Sequence, residues 1–299
     1  MVSIKANYGS KNLLLHSSIA IEHQIRRNTD FLVNTSPTDF FWDLRELYLF
    51  WESKLGILKI GKQICSWGAV DDNSPLDVVN PLDYYYLFSS GTERKLATFS
   101  ANFDIYQNNT RLNLVFSPIH NTNRIPINDP EFPLELPLVP ESLQIFSPQK
   151  TPNEYGILLS QKFSFADISF AYFNGFDRIY NFTGVNTWGQ GSSLNVPRFD
   201  ILFGYRKTEM FGYGLSFFND FFTIRADFGL FRTKDVNNKI NRNYPGYLYI
   251  SSQGKYVEIF ESFGYDSLHF SFPMNEKAEY SQTTLQLEAE LPFSISLIG

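Results

Sequence analysis

The chain is written with a period of two residues. After Leu96, the residues Ala97, Phe99, Ala101, Phe103 and Ile105 alternate with Thr98, Ser100, Asn102 and Asp104. Leu112, Leu114 and Phe116 are then set against Arg111, Asn113 and Ser117, with the polar stretch Gln107-Asn108-Asn109-Thr110 between the two runs. Successive side chains of a strand point to opposite faces, so this pattern predicts a hairpin with one apolar and one polar face. The pattern recurs at Ile168, Phe170 and Tyr172 against Asp167, Ser169 and Ala171. It recurs at Phe199, Ile201, Phe203 and Tyr205 against Arg198, Asp200, Gly204 and Arg206. Phe222, Ile224, Ala226, Phe228 and Leu230 face Thr223, Arg225, Asp227 and Gly229, and Leu285, Leu287, Ala289 and Leu291 face Thr284, Gln286, Glu288 and Glu290. No window of similar length carries an i, i+3, i+4, i+7 stripe. Residues 43–53, with Leu44, Leu47 and Tyr48, come nearest to one, and their aromatics favour a strand.

This alternation explains an unusual composition. Hydrophobic residues reach 43% and aromatics 17% in 299 residues, yet mean hydropathy is −0.21 and charged residues are only 19%, below the ~25% of ordinary soluble domains. Such aromatic density excludes disorder. The absence of any run of about 18 uncharged apolar residues excludes a helical membrane protein. What remains is an all-β chain, either a soluble sandwich or a membrane barrel. A net charge of −6 with no basic run longer than Arg26-Arg27 argues against a nucleic-acid partner. Cys65 is the only cysteine, so no intramolecular disulfide is expected. His16, His23, His120 and His269 show no ligand spacing, and no nucleophile elbow or phosphate-cradling glycine loop occurs. Asp71-Asp72-Asn73 lacks the downstream ligands of a calcium loop. No catalytic centre, metal or cofactor is therefore expected.

The connections come in two sizes. Residues 107–110, 163–166 and 218–221 are short, whereas 69–90, 117–152, 175–197 and 233–254 are long. Residues 117–152 hold eight of the 15 prolines, which excludes them from a central ladder. Tight turns alternating with long loops along an antiparallel chain are the layout of an outer-membrane barrel, and 299 residues at ~10 per strand hold about a dozen strands or more. No linker divides the chain, so residues 1–299 are expected to form one barrel domain. The N-terminus lacks a secretory signal and the C-terminus stops inside an apolar run, so both ends read as cut and missing last strands are expected. In a barrel the apolar face meets lipid, with aromatics such as Tyr84-Tyr85-Tyr86 and Phe217-Phe218 at its borders, and the polar face lines the lumen. The lumen candidates are Glu46, Glu52, Lys59, Gln63, Arg198, Asp200, Arg206, Arg225 and Asp227. Their mixed signs suggest a transverse field rather than a filter of one sign.

The densest segment runs Gly61-Lys62-Gln63-Ile64-Cys65-Ser66-Trp67-Gly68, then Asp71, then Asp77-Val78-Val79-Asn80-Pro81-Leu82-Asp83, after Leu44-Arg45-Glu46-Leu47-Tyr48. Gly61 in mid-strand leaves room for a neighbouring backbone, Trp67-Gly68 reads as a strand end at a membrane interface, and Asn80 to Asp83 read as an Asx-type turn capping a loop folded into the pore. The segment resembles the "LRxGRQ … WG … NPxD" pattern of Gram-negative outer-membrane porin-like barrels related to the alginate-export porins. Phe173-Asn174-Gly175-Phe176-Asp177 is similar to a further strand end of that family, and residues 224–235, Ile224 to Asp235, are similar to one of its strands. Lys62 stands where the family has Arg, and Asp227 where it has Glu. The resemblance rests on Gly61, Gln63, Trp67, Gly68, Asp77, Asn80, Pro81 and Asp83. It implies a bacterial outer-membrane channel, not an enzyme, passing a small polar or anionic organic solute by passive or facilitated diffusion, with membrane lipid as its other partner. Two alternatives stay open: a secreted glycan-binding β-sandwich using aromatics such as Trp188 and Tyr244, and a barrel-borne lipid-modifying enzyme using Ser17 beside His16.

Overall fold

A computed structural model of the protein describes residues 2–10, 12–23, 40–86, 91–126, 145–146, 152–190, 198–235, 248–252, 255–262, 265–273, 276–291 and 295–298. The strands among them begin with β1 (Val2–Gly9), β2 (Leu13–His23), β3 (Phe40–Glu52), β4 (Gly56–Gln63), β5 (Thr98–Gln107) and β6 (Thr110–Ser117). There follow β7 (Ile145–Phe146), β8 (Glu154–Lys162), β9 (Ala166–Phe176), β10 (Asn181–Gln190), β11 (Arg198–Gly204) and β12 (Lys207–Phe218). The last are β13 (Phe222–Lys234), β14 (Leu248–Ser252), β15 (Lys255–Ser262), β16 (Tyr265–Pro273), β17 (Lys277–Leu291) and β18 (Ile295–Ile298). Among the described residues the only helical elements are two 3-10 turns, Tyr84–Tyr86 and Gly91–Arg94.

Twelve strands form one sheet in the order β1-β2-β3-β4-β5-β6-β8-β9-β12-β13-β17-β18, and every neighbouring pair in it is antiparallel. No pairing joins β1 to β18 among the described residues. The chain runs up and down, and its short turns collect at one end. There Glu52 N donates to Asn12 O, Lys162 N to Asn109 O and Phe218 N to Phe165 O, tying neighbouring turns together. The long connections collect at the other end. The stretches 64–97, 118–126, 177–180 and 205–206 are stitched there by bonds from Arg124 N to Leu82 O, Asn123 N to Arg178 O and Asp177 N to Arg206 O.

A second, six-stranded sheet, β14-β15-β16-β10-β11-β7, is built wholly from the long connections. The sequence reading took residues 175–197 for a loop, but β10 lies within them. A register shift between Phe182 and Gly184 breaks its period of two, which is why alternation did not reveal it. Phe199, Ile201 and Phe203 do alternate as expected, on β11 of this second sheet rather than in the large one.

The large sheet has the polarity of a soluble sheet reversed. Outward side chains are apolar and exposed: Phe170 is 60% exposed, Tyr213 50% and Leu285 67%, and Leu47, Leu49, Ile60, Phe99, Phe116, Ile157, Leu159 and Phe211 are likewise exposed. The other face carries Thr98, Ser100, Asn102, Asp104, Asn113, Glu154 and Asp227, all buried. All but Glu154 are partners that the sequence alternation assigns to the polar face. The β4–β5 connection, described at 64–86 and 91–97, covers Asn102, Asn113 and Asp227, while His120 and Arg178 cover Glu154. Arg45 on β3, the third strand of the sheet, donates to Glu93 O at 2.6 Å. Arg94 reaches Asp72 at 3.1 Å, and Thr284 on β17, the eleventh strand, donates to Asn73 O at 2.8 Å. At ~4.8 Å per ladder a flat sheet would hold Arg45 and Thr284 about 38 Å apart. Two arginine side chains do not span that, so the sheet curls around the segment.

Candidate functional site

The inward segment starts where β4 stops. Gly61 has φ +139°, and a Cβ there would lie 2.3 Å from Leu47 O, so the close backbone approach expected at this glycine is present. Gln63 turns inward and donates to Ser100 O at 2.9 Å and Lys59 O at 3.1 Å. Asn80 then clamps both stems. Its Oδ1 accepts from Cys65 N at 2.7 Å, and its Nδ2 donates to Gln63 O at 3.2 Å and Leu96 O at 2.9 Å. Pro81 O accepts from Leu96 N at 2.8 Å. The Asx turn belongs to Asp83, which accepts from Tyr85 N at 3.1 Å and from Arg124 at 3.0 Å while fully buried.

Trp67 departs from its expected place. It is 4% exposed and sits inside the sheet, its Nε1 donating to Asn113 Oδ1 at 2.9 Å, so it is not a membrane-interface residue. A Cβ on Gly156 of β8 would lie 2.4 Å from the Trp67 ring, and one on Gly212 of β12 would lie 2.2 Å from Leu76. The strand glycines are the space into which the buried Trp67 and Leu76 of the segment fit. Trp67, Leu76 and Val79 share one buried cluster with Val115, Leu158, Ala171, Phe173, Met210 and Phe231. Burying a side chain such as Leu76 contributes on the order of 1.5–3 kcal/mol. Tyr84, Tyr85 and Tyr86 also belong to the inward segment rather than to an outward girdle, and the Arg124 guanidinium lies 4.3 Å from the Tyr85 ring centre.

Polar anchors come from strands far apart in sequence. Asp227 on β13, 0% exposed, accepts from Ala69 N at 3.0 and 2.8 Å and from Val70 N at 3.0 Å. Gly68 beside them has φ +110°, and a Cβ there would meet Asp227 Oδ2 at 2.8 Å. Arg225, two residues from Asp227 and on the same face, pairs with Asp71 at 2.9 Å and with Glu288 of β17 at 2.6 Å. Glu46 accepts from Ile64 N at 3.1 Å. Arg45 is the extra residue of a bulge, because Ser18 pairs with Glu46 and Ile19 with Leu44, so Arg45 and Glu46 both reach inward from consecutive positions. Arg45 donates to Thr92, Glu93 and Lys95 carbonyls. Arg178 donates to Val79 O at 2.8 Å and pairs with the buried Glu154 at 2.9 Å. Asp77 pairs with the buried Lys95. Burial pushes the Asp77 carboxyl above its ordinary value, against the pull of that ammonium, and pushes the Cys65 thiol up to about 11, which keeps it neutral.

Among the lumen candidates, the structure thus brings Glu46, Gln63, Arg225 and Asp227 together around one segment. Lys59 shares the inward face, with its ammonium 5.5 Å from the Tyr48 ring centre, and Glu52 lies exposed near the short turns. Arg206 stands apart at the long-loop end, paired with Asp235 at 2.9 Å and Glu276 at 2.8 Å. Arg198 and Asp200 lie on β11 in the second sheet, away from the strands that carry the others. Arg45, Asn113, Glu154 and Arg178 were not singled out from sequence. Arg45 was in view inside the Leu44 to Tyr48 stretch, and Arg178 directly follows the strand end quoted at Asp177.

Of the residues behind the two alternatives, His16 faces inward, hydrogen-bonded to Asn7 at 2.7 Å and 3.8 Å from Glu46, while Ser17 takes the opposite side of β2. Trp188 lies on β10 of the second sheet, and Tyr244 lies outside the described residues. Neither a family model nor a curated protein matches the chain.

Proposed function

We propose that this chain is an antiparallel β-barrel of the bacterial outer membrane that passes small polar or anionic organic solutes by diffusion, with residues 64–97 forming its internal constriction. One observation carries the reading: the large sheet exposes its apolar face and buries its charged one, curled around a chain segment. That arrangement is costly in water and favourable in lipid, where an outward apolar band meets acyl chains and polar side chains gather inside. Unpaired sheet edges are not tolerated in hydrocarbon, so the reading requires the sheet to close. The resemblance to porin-like barrels of the alginate-export type points the same way, because the residues that carry it, Gly61, Trp67, Gly68, Asp77 and Asn80, all build the constriction.

Selectivity would then arise from the charges that hold the segment. Arg225, Glu288 and Asp71 sit together at a partly exposed edge of it, a mixed-sign group that sets a field across the passage. Arg225→Ala removes the only cation of that trio. In planar bilayers the variant is expected to favour cations over anions more than the parent does. Unchanged conductance and permeability ratio would remove Arg225 from the passage.

A further inference from the structure

The outward face of the large sheet carries one feature that solute passage does not use. At the long-loop ends of β12, β13 and β17, Lys207 pairs in register with Lys234, and Lys234 with Lys277. Three lysines therefore stand side by side on adjacent strands, a placement in which like charges repel at about 5 Å backbone spacing. They point outward, because their neighbours Thr208 and Thr233 are buried on the inner side. No carboxylate among the described residues pairs with any of the three ammonium groups. The row beneath them holds one cation and two carboxylates: Arg232 pairs with Glu279 at 3.3 Å, and Glu209 accepts from the neutral Asn174 amide at 3.0 Å. Lys207, Lys234, Lys277 and Arg232 line a groove of about 370 Å³ together with Glu209 and Glu279, four cations against two carboxylates. Directly beneath it the apolar band begins on two of the three strands, with Phe211 and Tyr213 on β12 and Leu230 and Phe228 on β13, while on β17 Ser281 and Thr283 precede Leu285 and Leu287.

We infer that this groove binds the phosphorylated headgroup of a glycolipid in the outer leaflet, with the lysine row on the phosphates and the acyl chains lying along the apolar band. The inference rests on the barrel reading, in which the long-loop end lies outside the cell. Its specific support is the juxtaposition of unbalanced cations with a lipid-length apolar surface. Free phosphate would use only the first of these, whereas an anionic amphiphile uses both. Glu209 and Glu279 offset part of the charge in the groove, and an anion seated on the lysine row relieves the rest.

The test uses the full chain refolded in detergent, with bisphosphorylated lipid A, its dephosphorylated form and inorganic phosphate as separate probes. Native mass spectrometry and thermal shift follow binding. The parent is expected to retain lipid A selectively over both other probes. The Lys207→Gln, Lys234→Gln, Lys277→Gln triple variant should bind it roughly a hundredfold more weakly, while the corresponding Arg triple retains binding. Lys54→Gln at the opposite end should behave as the parent. Equal binding by parent and Gln triple, equal binding of dephosphorylated lipid, or displacement by equimolar phosphate would each overturn the inference. Heat-shifted gel mobility, measured on every sample, separates these outcomes from failure to form a barrel: if the parent shows no such shift, the inference falls together with the reading beneath it.

Discussion

Asp227 shows how much a single side chain contributes here. Its two carboxylate oxygens satisfy the amides of Ala69 and Val70 where the segment lies against the inner face of the sheet. Asp227→Ala leaves both donors without a partner at a cost of about 1–3 kcal/mol each. The expected result is a loosened segment: residues near Gly68 become cleavable by protease in the folded protein, while the hairpin turns at the opposite end stay protected. Limited proteolysis with mass mapping reads this directly, and an unchanged cleavage pattern would show that the apolar contacts of Trp67 and Leu76 hold the segment alone. Asp227 was legible in the sequence as an inward residue, because alternation alone fixes its face. Its partner was not legible, since nothing local indicates that a carboxylate at 227 meets amides at 69 and 70. The same holds for Trp67. Its place at the end of a strand suggested an interface, and only the missing side chain of Gly156, far along the chain, reveals that the indole turns inward.

At the level of elements, the strands of the large sheet follow from the period of two and the polar turns between runs. The β5–β6 hairpin turns at Asn108, whose φ of 53° suits an asparagine, within the stretch that the sequence reading set aside as a turn. In the second sheet β10 was not legible, because the register shift within it breaks the alternation, whereas β11 was legible as a strand but not as part of a separate sheet. Apart from the two 3-10 turns, the described residues of the inward segment belong to no helix and to no strand of either sheet. It is irregular chain whose amides are satisfied by Asn80, Asp83, Asp77 and Asp227 rather than by a ladder. Its course could be anticipated only from the density of Asp, Asn, Pro and Gly between β4 and β5. If the segment constricts a passage, replacing residues 69–76 by a short Gly-Ser link raises single-channel conductance several-fold. A conductance equal to the parent's would place the narrowest point elsewhere.

For the molecule as a whole, the decisive relation is between its outer band and its solvent. A soluble sandwich hides its apolar face and offers Lys and Glu to water, whereas this sheet does the reverse. Purified without detergent, the protein is expected to aggregate. In detergent it is expected to run on a gel faster when unheated than after boiling, as closed barrels do because their continuous ladders resist the denaturing surfactant. A sample soluble without detergent and insensitive to boiling would point to an open, water-facing sheet instead. The band of Phe, Tyr, Leu and Ile on one set of alternate positions is the sequence's clearest statement about the whole molecule. The residue-level detail inside the sheet depends on contacts between positions more than 150 apart, such as Ala69 with Asp227 and Asp71 with Gln286, which no local pattern encodes.

Those long separations bear on the order of events as the chain folds. Residues 64–97 are gripped by β3 on one side and β17 on the other, strands made early and late in synthesis. Neither strand alone fixes the segment: its contacts with β3 can form once β3 to β5 exist, whereas those with β17 wait for the last strands of the large sheet. Contacts so distant in sequence form slowly, and Asn80, by closing both stems within a few residues of β4 and β5, supplies a part of the arrangement that is local enough to assemble early.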